Sequence, residues 1–269
     1  MSVEFNFKSE YGIDDLLEIM RILRSPEGCP WDREQNHISI KKSLIEETYE
    51  VIEAINKEDD HLLCEELGDV LLQVVFHAQM AKERNAFGFD EITDGVCKKL
   101  IERHPHVFGD VSVDNSAEVL VNWEQIKSKS KNRKTQTDKM LSVPRELPAL
   151  MRSTKLQEKA AKVGFDWENA DGAFEKIDEE ASELKEAYKN GESEHIKEEL
   201  GDLLFSVVNV SRFLDVDAEE ALTFSADKFL NRFSVVEKLA EERGIDMKSS
   251  SIEELDKLWD EAKTLIQSN

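Results

Sequence analysis

The pentapeptide Glu-Glu-Leu-Gly-Asp occupies residues 65–69 and recurs at 198–202, both times inside an otherwise apolar segment. Each occurrence spaces two carboxylates one helical turn apart, Glu66 with Asp69 and Glu199 with Asp202, in a narrow polar stripe that continues to Gln73 or Ser206. Upstream of each lies a second acidic group, Glu46, Glu47 and Glu50 in IEETYEVIEAI and Glu179, Glu180 and Glu183 in IDEEASELKEAY. Carboxylates on a solvated helix face need no explanation, but an ionised carboxylate left unpaired on a buried face costs several kcal/mol. Something cationic must therefore meet Glu66 and Asp69. Two antiparallel helices would set Glu47 and Glu50 against them, with four oxygen donors around one point. That donor set suits a hard divalent cation, above all Mg²⁺, with waters and phosphate oxygens completing its octahedron. The competing arrangement is a pair of acidic faces neutralised by Lys and Arg from neighbouring helices. Recurrence at one fixed spacing favours the metal.

The offset between the two sets of carboxylates is constant at 133 residues (46 to 179, 66 to 199, 69 to 202). Basic and aromatic residues recur with small drift: Lys99-x-x-x-Arg103 returns as Lys228-x-x-x-Arg232, and Trp123-x-x-x-Lys127 as Trp259-x-x-x-Lys263. The chain is thus two copies of one unit, 11–127 and 145–266, joined by a polar, basic linker over 128–144 that lacks apolar periodicity. A Lys and an Arg at i and i+4 project together and suit a phosphate chain. Trp259 with Lys263 offers an aromatic surface for a base and a further cation, or a core anchor. Phe165 and Trp167 in VGFDW admit the same two readings, with capping or packing of that turn preferred.

These residues need helices to position them. At ~100° per residue, Glu46, Glu47 and Glu50 share one arc, whereas Leu44, Ile45, Tyr49, Val51, Ile52 and Ile55 fill the other, which the pattern assigns to the core. Short connections, NKEDD and KNGESE, turn each acidic helix back antiparallel onto LLCEELGDVLLQVVFHAQMA or its counterpart. Five Pro and eleven Gly among 269 residues, with 35% charged residues, fit an all-α protein. A net charge of −23 argues against general nucleic-acid binding. Cys29, Cys64 and Cys97 form neither a disulfide frame nor a zinc pattern and read as reduced thiols. The first dozen residues lack a signal pattern, and the most apolar run is too short and polar to span a bilayer, so cytoplasm is expected and no membrane.

E-E-x-x-E, fifteen residues, E-x-x-D and a downstream K-x-x-x-R resemble the MazG family of nucleoside triphosphate pyrophosphohydrolases, within the all-α NTP pyrophosphatase superfamily. The resemblance extends to CPWDREQ, ERHPHVFGDV, VGFDW and EELGDLLFSVVN, nearly the whole chain, and points to the tandem-domain type. It implies helical bundles completed by homodimerisation and Mg²⁺-dependent cleavage of nucleoside triphosphates between the α- and β-phosphates, releasing monophosphate and pyrophosphate. Carried onto the second copy, it implies Glu180, Glu183, Glu199 and Asp202 as metal ligands supported by Glu179. Lys228, Arg232, Trp259 and Lys263 would hold the nucleotide. Glu179 or Glu180 is the expected base for the attacking water, and broad tolerance of the nucleobase is expected.

The second copy is expected to dominate turnover, partly because Lys176, on the face of Glu180 and expected to bind the phosphate end of the substrate, is replaced by Ser43 in the first. The first copy nevertheless keeps Glu47, Glu50, Glu66, Asp69, Lys99 and Arg103. Two rival classes stand beside this reading. A ferritin-like di-metal bundle needs Glu-x-x-His pairs on core helices, and Glu58-x-x-His61 and Glu192-x-x-His195 match only in polar surroundings. A non-catalytic nucleotide-binding regulatory module is the other.

Overall fold

The protein, described over residues 5–130 and 135–267 in a computed structural model, is all-α, with no strand among the described residues. It divides into two compact units, with the boundary in the chain between residues 127 and 128. The first contains α1 (Ile13–Leu23), α2 (Pro30–Glu34), α3 (Lys41–Asn56), α4 (Asp60–Glu83), α5 (Phe89–Arg103), α6 (Pro105–Phe108) and α7 (Ser116–Ser130), which ends just beyond the boundary. The second contains α8 (Gln136–Leu141), α9 (Ala149–Ala161), α10 (Ala170–Asn190), α11 (Ser193–Phe213), α12 (Ala218–Arg243) and α13 (Ile252–Gln267).

The long hairpins α3–α4 and α10–α11 carry the two acidic groups of each copy. Their ends are set by local chemistry. Asp59 accepts from the backbone N–H groups of His61 and Leu62 and so caps α4. Asn169 accepts from Asp171 N–H to start α10, and Gly191, at φ 72°, ends it in the left-handed region open to glycine without a Cβ penalty. A third helix leans on each hairpin, α1 on α4 and α9 on α11. In the first unit this contact builds a core of Met20, Ile40, Val75, Phe76 and Met80. In the second, an apolar cluster lies in the α12–α13 pair, around Val236, Leu239, Ala240, Leu258 and Ala262.

Two expectations change here. The apolar arc of α3 is not core: Ile45, Tyr49, Ile52 and Ile55 are each between 43% and 54% exposed. The acidic arc is the one that meets α4, so the apolar stripe is left on the outside of the hairpin. The same holds for Leu67 and Leu71 on α4, for Leu200 and Leu204 on α11 and for Leu222, Phe224, Phe229 and Leu230 on α12. Second, the segment expected as a linker over 128–144 is helical at both ends of the gap at 131–134, which lies outside the described residues. Thr135 and Asp138 form a reciprocal capping box that starts α8, and α8 packs on α9. No helix among the described residues is long and apolar enough to cross a membrane, and all three cysteines are free.

Candidate active site

In the second unit, α10 presents Lys176, Glu179, Glu180 and Glu183, and α11 presents His195, Glu199 and Asp202. Carboxylate oxygens of Glu180, Glu199 and Asp202 lie within 4.8 Å of one another, as do those of Glu179, Glu180 and Glu183. Glu180 and Glu199 are buried, at 5% and 7% exposure, whereas Glu179, Glu183 and Asp202 stand at the open edge. Lys176 Nζ bridges two of them, 2.5 Å from Glu180 Oε1 and 2.9 Å from Glu179 Oε1. Those hydrogen bonds hold its ammonium group far above the usual lysine range. His195 Nδ1 lies 3.2 Å from Glu199 Oε1. Burial pushes the Glu199 carboxyl above the usual carboxylate range, the negative charge of Glu183 adds to the shift, and His195 partly opposes it.

Five carboxylates thus face one lysine and one histidine. An all-oxygen donor set with this excess of negative charge fits a hard dication. Among the described residues, none of the three groupings whose ligand atoms all lie within 4.8 Å of one another includes a histidine, although His195 contacts Glu199; a ferritin-like centre would count its histidines among the ligands.

The first unit repeats the plan with less compensation. Glu47, Glu66 and Asp69 bring ligand oxygens within 4.8 Å of one another. Glu50 joins through a hydrogen bond with the Glu47 carboxyl. Burial raises the Glu47 pKa first, then the Glu50 hydrogen bond and the charges of Asp69, Glu50 and Glu66. Burial likewise raises Glu66, followed by the charge of Glu50. Ser43 stands where the second unit has Lys176.

The basic and aromatic residues meet one another rather than the acids. The Arg232 guanidinium lies 5.9 Å from the Trp259 ring centroid, and Trp259 packs 5.3 Å from Phe229 against the α12–α13 core. Arg103 and Lys127 flank Trp123 in the same way, at 4.9 and 4.6 Å. Lys228 Nζ lies 5.7 Å from the Phe224 ring, and Lys263 pairs with Asp260 at 2.8 Å. Among the described residues, no ion pair joins Lys228, Arg232 or Lys263 to the carboxylates.

A cavity of about 590 Å³ opens beside the acidic cluster, with Lys176, Glu180 and Asp202 at its polar end and Leu156, Ala160, Phe165 and Phe205 among its apolar walls. Gly164, at φ 83°, follows the C-terminus of α9 and lets Phe165 N–H bond back to Ala160 O. Asp166 then accepts from Arg212 Nη2 at 2.5 Å, which ties the VGFDW turn to α11. The turn lines the cavity, whereas the expected packing of its aromatic side chains is not what the fold gives: Phe165 is 82% and Trp167 45% exposed. Sequence reasoning missed His195 as the partner of Glu199, although the i, i+4 spacing shows it, and missed Gln157, Asn209 and Arg212. Those three lie outside the acidic motif, on helices that converge only in the fold.

The MazG nucleotide pyrophosphohydrolase domain matches the chain twice, at residues 35–108 and 171–237. Over 250 residues the chain is 49% identical to a nucleoside triphosphate pyrophosphohydrolase/pyrophosphatase MazG of Thermotoga maritima, covering 93% of this chain and 95% of that protein. It is 46% identical over 256 residues to a nucleoside triphosphate pyrophosphohydrolase of Escherichia coli K12, covering 93% of this chain and 97% of the relative. A nucleoside triphosphate pyrophosphohydrolase of Mycolicibacterium smegmatis is 37% identical over 153 residues, 56% of this chain and 46% of its own.

Proposed function

The chain belongs to the MazG nucleotide pyrophosphohydrolase family, and from that premise we propose that its second unit hydrolyses nucleoside triphosphates between the α- and β-phosphates to monophosphate and pyrophosphate. The observation that carries this reading is the convergence of buried Glu180 and Glu199 with Asp202 at the mouth of a cavity large enough for an organic ligand. Glu180, Glu183, Glu199 and Asp202 would hold Mg²⁺. Bound there, it neutralises charge on the phosphate oxygens and lowers the barrier to an incoming water. Glu179, at the open edge, accepts the proton of that water, while Glu180 fixes its position through the shared Lys176 ammonium. Lys176 keeps both carboxylates oriented.

Lys228, Arg232 and Lys263 are assigned to the departing pyrophosphate, with Trp259 holding the Arg232 guanidinium in place. These residues reach a carboxylate site through a homodimer. The support is the exposed apolar stripe of α12, which carries Lys228 alongside Leu222, Phe224, Phe229 and Leu230, and the similar stripes on α3, α4 and α11. The first unit keeps the carboxylates as a metal-binding and stabilising element. Broad base tolerance and a cytoplasmic setting, where nucleotides are abundant and thiols stay reduced, belong to the same proposal.

Ion-exchange analysis of products from several triphosphates, with and without Mg²⁺, tests it. Monophosphate with equimolar pyrophosphate is expected, lost at least 100-fold in Glu180→Gln and kept in Glu47→Gln. Diphosphate with orthophosphate would refute the assigned bond. Absence of product with nucleotide still bound would make the chain a regulatory module.

A further inference from the structure

The chain carries 58 acidic residues against 35 Lys and Arg, and the cavity of the second unit has Glu180 and Asp202 of the acidic cluster at its polar end. A field of that sign repels a polyanion before any contact forms. One helix at the cavity has the opposite sign. α9 bears Arg152, Lys155 and Lys159, with Lys162 at its C-cap. At ~100° per residue these four fall within an arc of about 80°, next to the arc of Leu156, Gln157 and Ala160 that lines the cavity. Glu158, the one acid of α9, falls outside it.

A basic stripe on a surface helix most often only solvates it. Three observations set this one apart. The ion pairs of the second unit lie at Lys176, His195, Arg212, Arg243 and Lys263, so among the described residues none of the four cations is neutralised by a pair. Arg152 Nε is buried without a hydrogen-bond partner, a donor on a charged group that the protein itself leaves unsatisfied. In the first unit the helix that leans on the hairpin in the same way, α1, carries Asp14, Asp15 and Glu18, and its Arg21 pairs with Glu18 at 2.6 Å. The basic face thus accompanies the unit with the open cavity, not the hairpin as such.

We infer that this face of α9 is the capture surface for a polyanionic substrate, an inference that rests on the nucleotide reading above. A rise of about 1.5 Å per residue keeps each of the four within roughly one turn, ~5.4 Å along the axis, of a residue that lines the cavity. That is inside the screening length of about 8 Å at physiological salt, so their field reaches the cavity. Carboxylates gathered to hold a dication make the site unfavourable for a free triphosphate, and a local positive surface beside them raises the concentration of the anion where it must react. These cations hold no reacting atom. Their effect falls on capture, and the chemical step does not use them.

The test separates capture from chemistry. Calorimetry in Mg²⁺ measures binding of α,β-methylene adenosine 5′-triphosphate, whose α–β bridge resists hydrolysis, to the full chain and to the triple variant Lys155→Gln, Lys159→Gln, Lys162→Gln, each checked for folding by circular dichroism. At low salt the triple variant should bind about tenfold more weakly, and in ~0.5 M KCl, where the screening length falls to about 4 Å, the two should agree within about twofold. KM for triphosphates should rise by the same factor at low salt while kcat stays within about twofold. Removing three charges at Lys238, Lys248 and Lys257, exposed lysines that line no part of the cavity, should change binding by less than about twofold. Equal affinities at low salt, a loss undiminished in high salt, or an equal loss in the control variant overturns the inference, and continued release of monophosphate and pyrophosphate would leave the hydrolase reading standing. Oligouridylate bound through the three lysines, with triphosphate affinity unmoved, would assign the face to nucleic acid and overturn it as well. A salt-dependent loss of binding in a chain that cleaves no triphosphate would instead keep the capture surface and refute the hydrolase reading.

Discussion

Lys176→Met removes the one lysine that, among the described residues, pairs with the acidic cluster of the second unit. In the folded protein its ammonium lies 2.5 Å from a Glu180 oxygen, and Glu180 is buried beside Glu199 and Asp202. A unit charge pair about 4 Å apart at an effective dielectric of about 20 is worth ~4 kcal/mol. Because the Lys176 side chain is 35% exposed, solvent screening reduces that to about 1–2 kcal/mol. In a unit of this size such a loss lowers the midpoint of its thermal transition by roughly 3–8 °C. The loss depends on what else neutralises the carboxylates. Calorimetric melts in EDTA should show the full drop, and melts in saturating Mg²⁺ less than half of it, since the bound cation replaces the missing charge. Lys176→Arg should restore most of the stability in EDTA. An equal drop in both conditions would mean that Lys176 acts by packing and that the cluster takes no metal. No drop in EDTA would mean that solvent already screens the cluster, and the account of Glu180 as a buried, compensated charge would fall.

The reciprocal change, Ser43→Lys, gives Glu47 an i, i+4 cation and should pull its raised pKa downward, seen by carboxyl titration in NMR, while raising the melting point of the first unit in EDTA. Gly172→Ala would put a Cβ 2.1 Å from Trp167 Cδ1; the ring must leave its place, at a cost of about 1–3 kcal/mol, with a red-shifted tryptophan emission and a higher KM for triphosphates. In the first unit, Arg24 donates to Glu83 from Nε and Nη2 at 2.8 Å and holds the Glu83 carboxyl below the usual range. A depressed folded pKa adds stability above the unfolded value and loses it as pH falls through the folded one. Urea melts between pH 7 and pH 3 should therefore show Arg24→Met less stable at neutral pH, by about 1 kcal/mol for a part-exposed pair, and less sensitive to acid than the parent; parallel curves would refute it.

The acid clusters and the helices that carry them were legible because their information is local. Glu46, Glu47 and Glu50 fall on one arc by helical period alone, and the i, i+3 spacing of Glu66 and Asp69 needs only one helix. Two antiparallel hairpins then follow from short loops. What stayed hidden depends on which helix meets which. The period of α3 separates an acidic arc from an apolar one, but it does not say which arc the neighbour takes, and the acidic one meets α4. Gln157 on α9 and Asn209 on α11 carry no mark in sequence; their places in the cavity wall come from the Phe205 carbonyl that holds one amide and from the Arg212 side chain that holds the other. Lys228, Arg232 and Trp259 were legible as a group; Arg232 does reach Trp259, whereas Lys228 lies by Phe224, and among the described residues no ion pair joins either cation to a carboxylate.

Duplication supplies a comparison that a single domain lacks. The carboxylates keep one spacing in both copies, whereas the residues around them diverge: Lys176 against Ser43, Asn209 against Phe76. A cluster of like charges is costly wherever it is buried, and the raised carboxyls of Glu47 and Glu66 show that the first unit bears this cost without a lysine to offset it. A copy released from all function would be free to replace those acids with apolar residues, which pack better against α4. Phe76 shows that α4 accepts such replacements a few residues along the same helix. The proposed function reads the retained acids of the first unit, beside the packed Phe76, as a cation site alone. Under that proposal, binding a cation would need only the hairpin, whereas placing a nucleotide against it would also need the cavity beside α11.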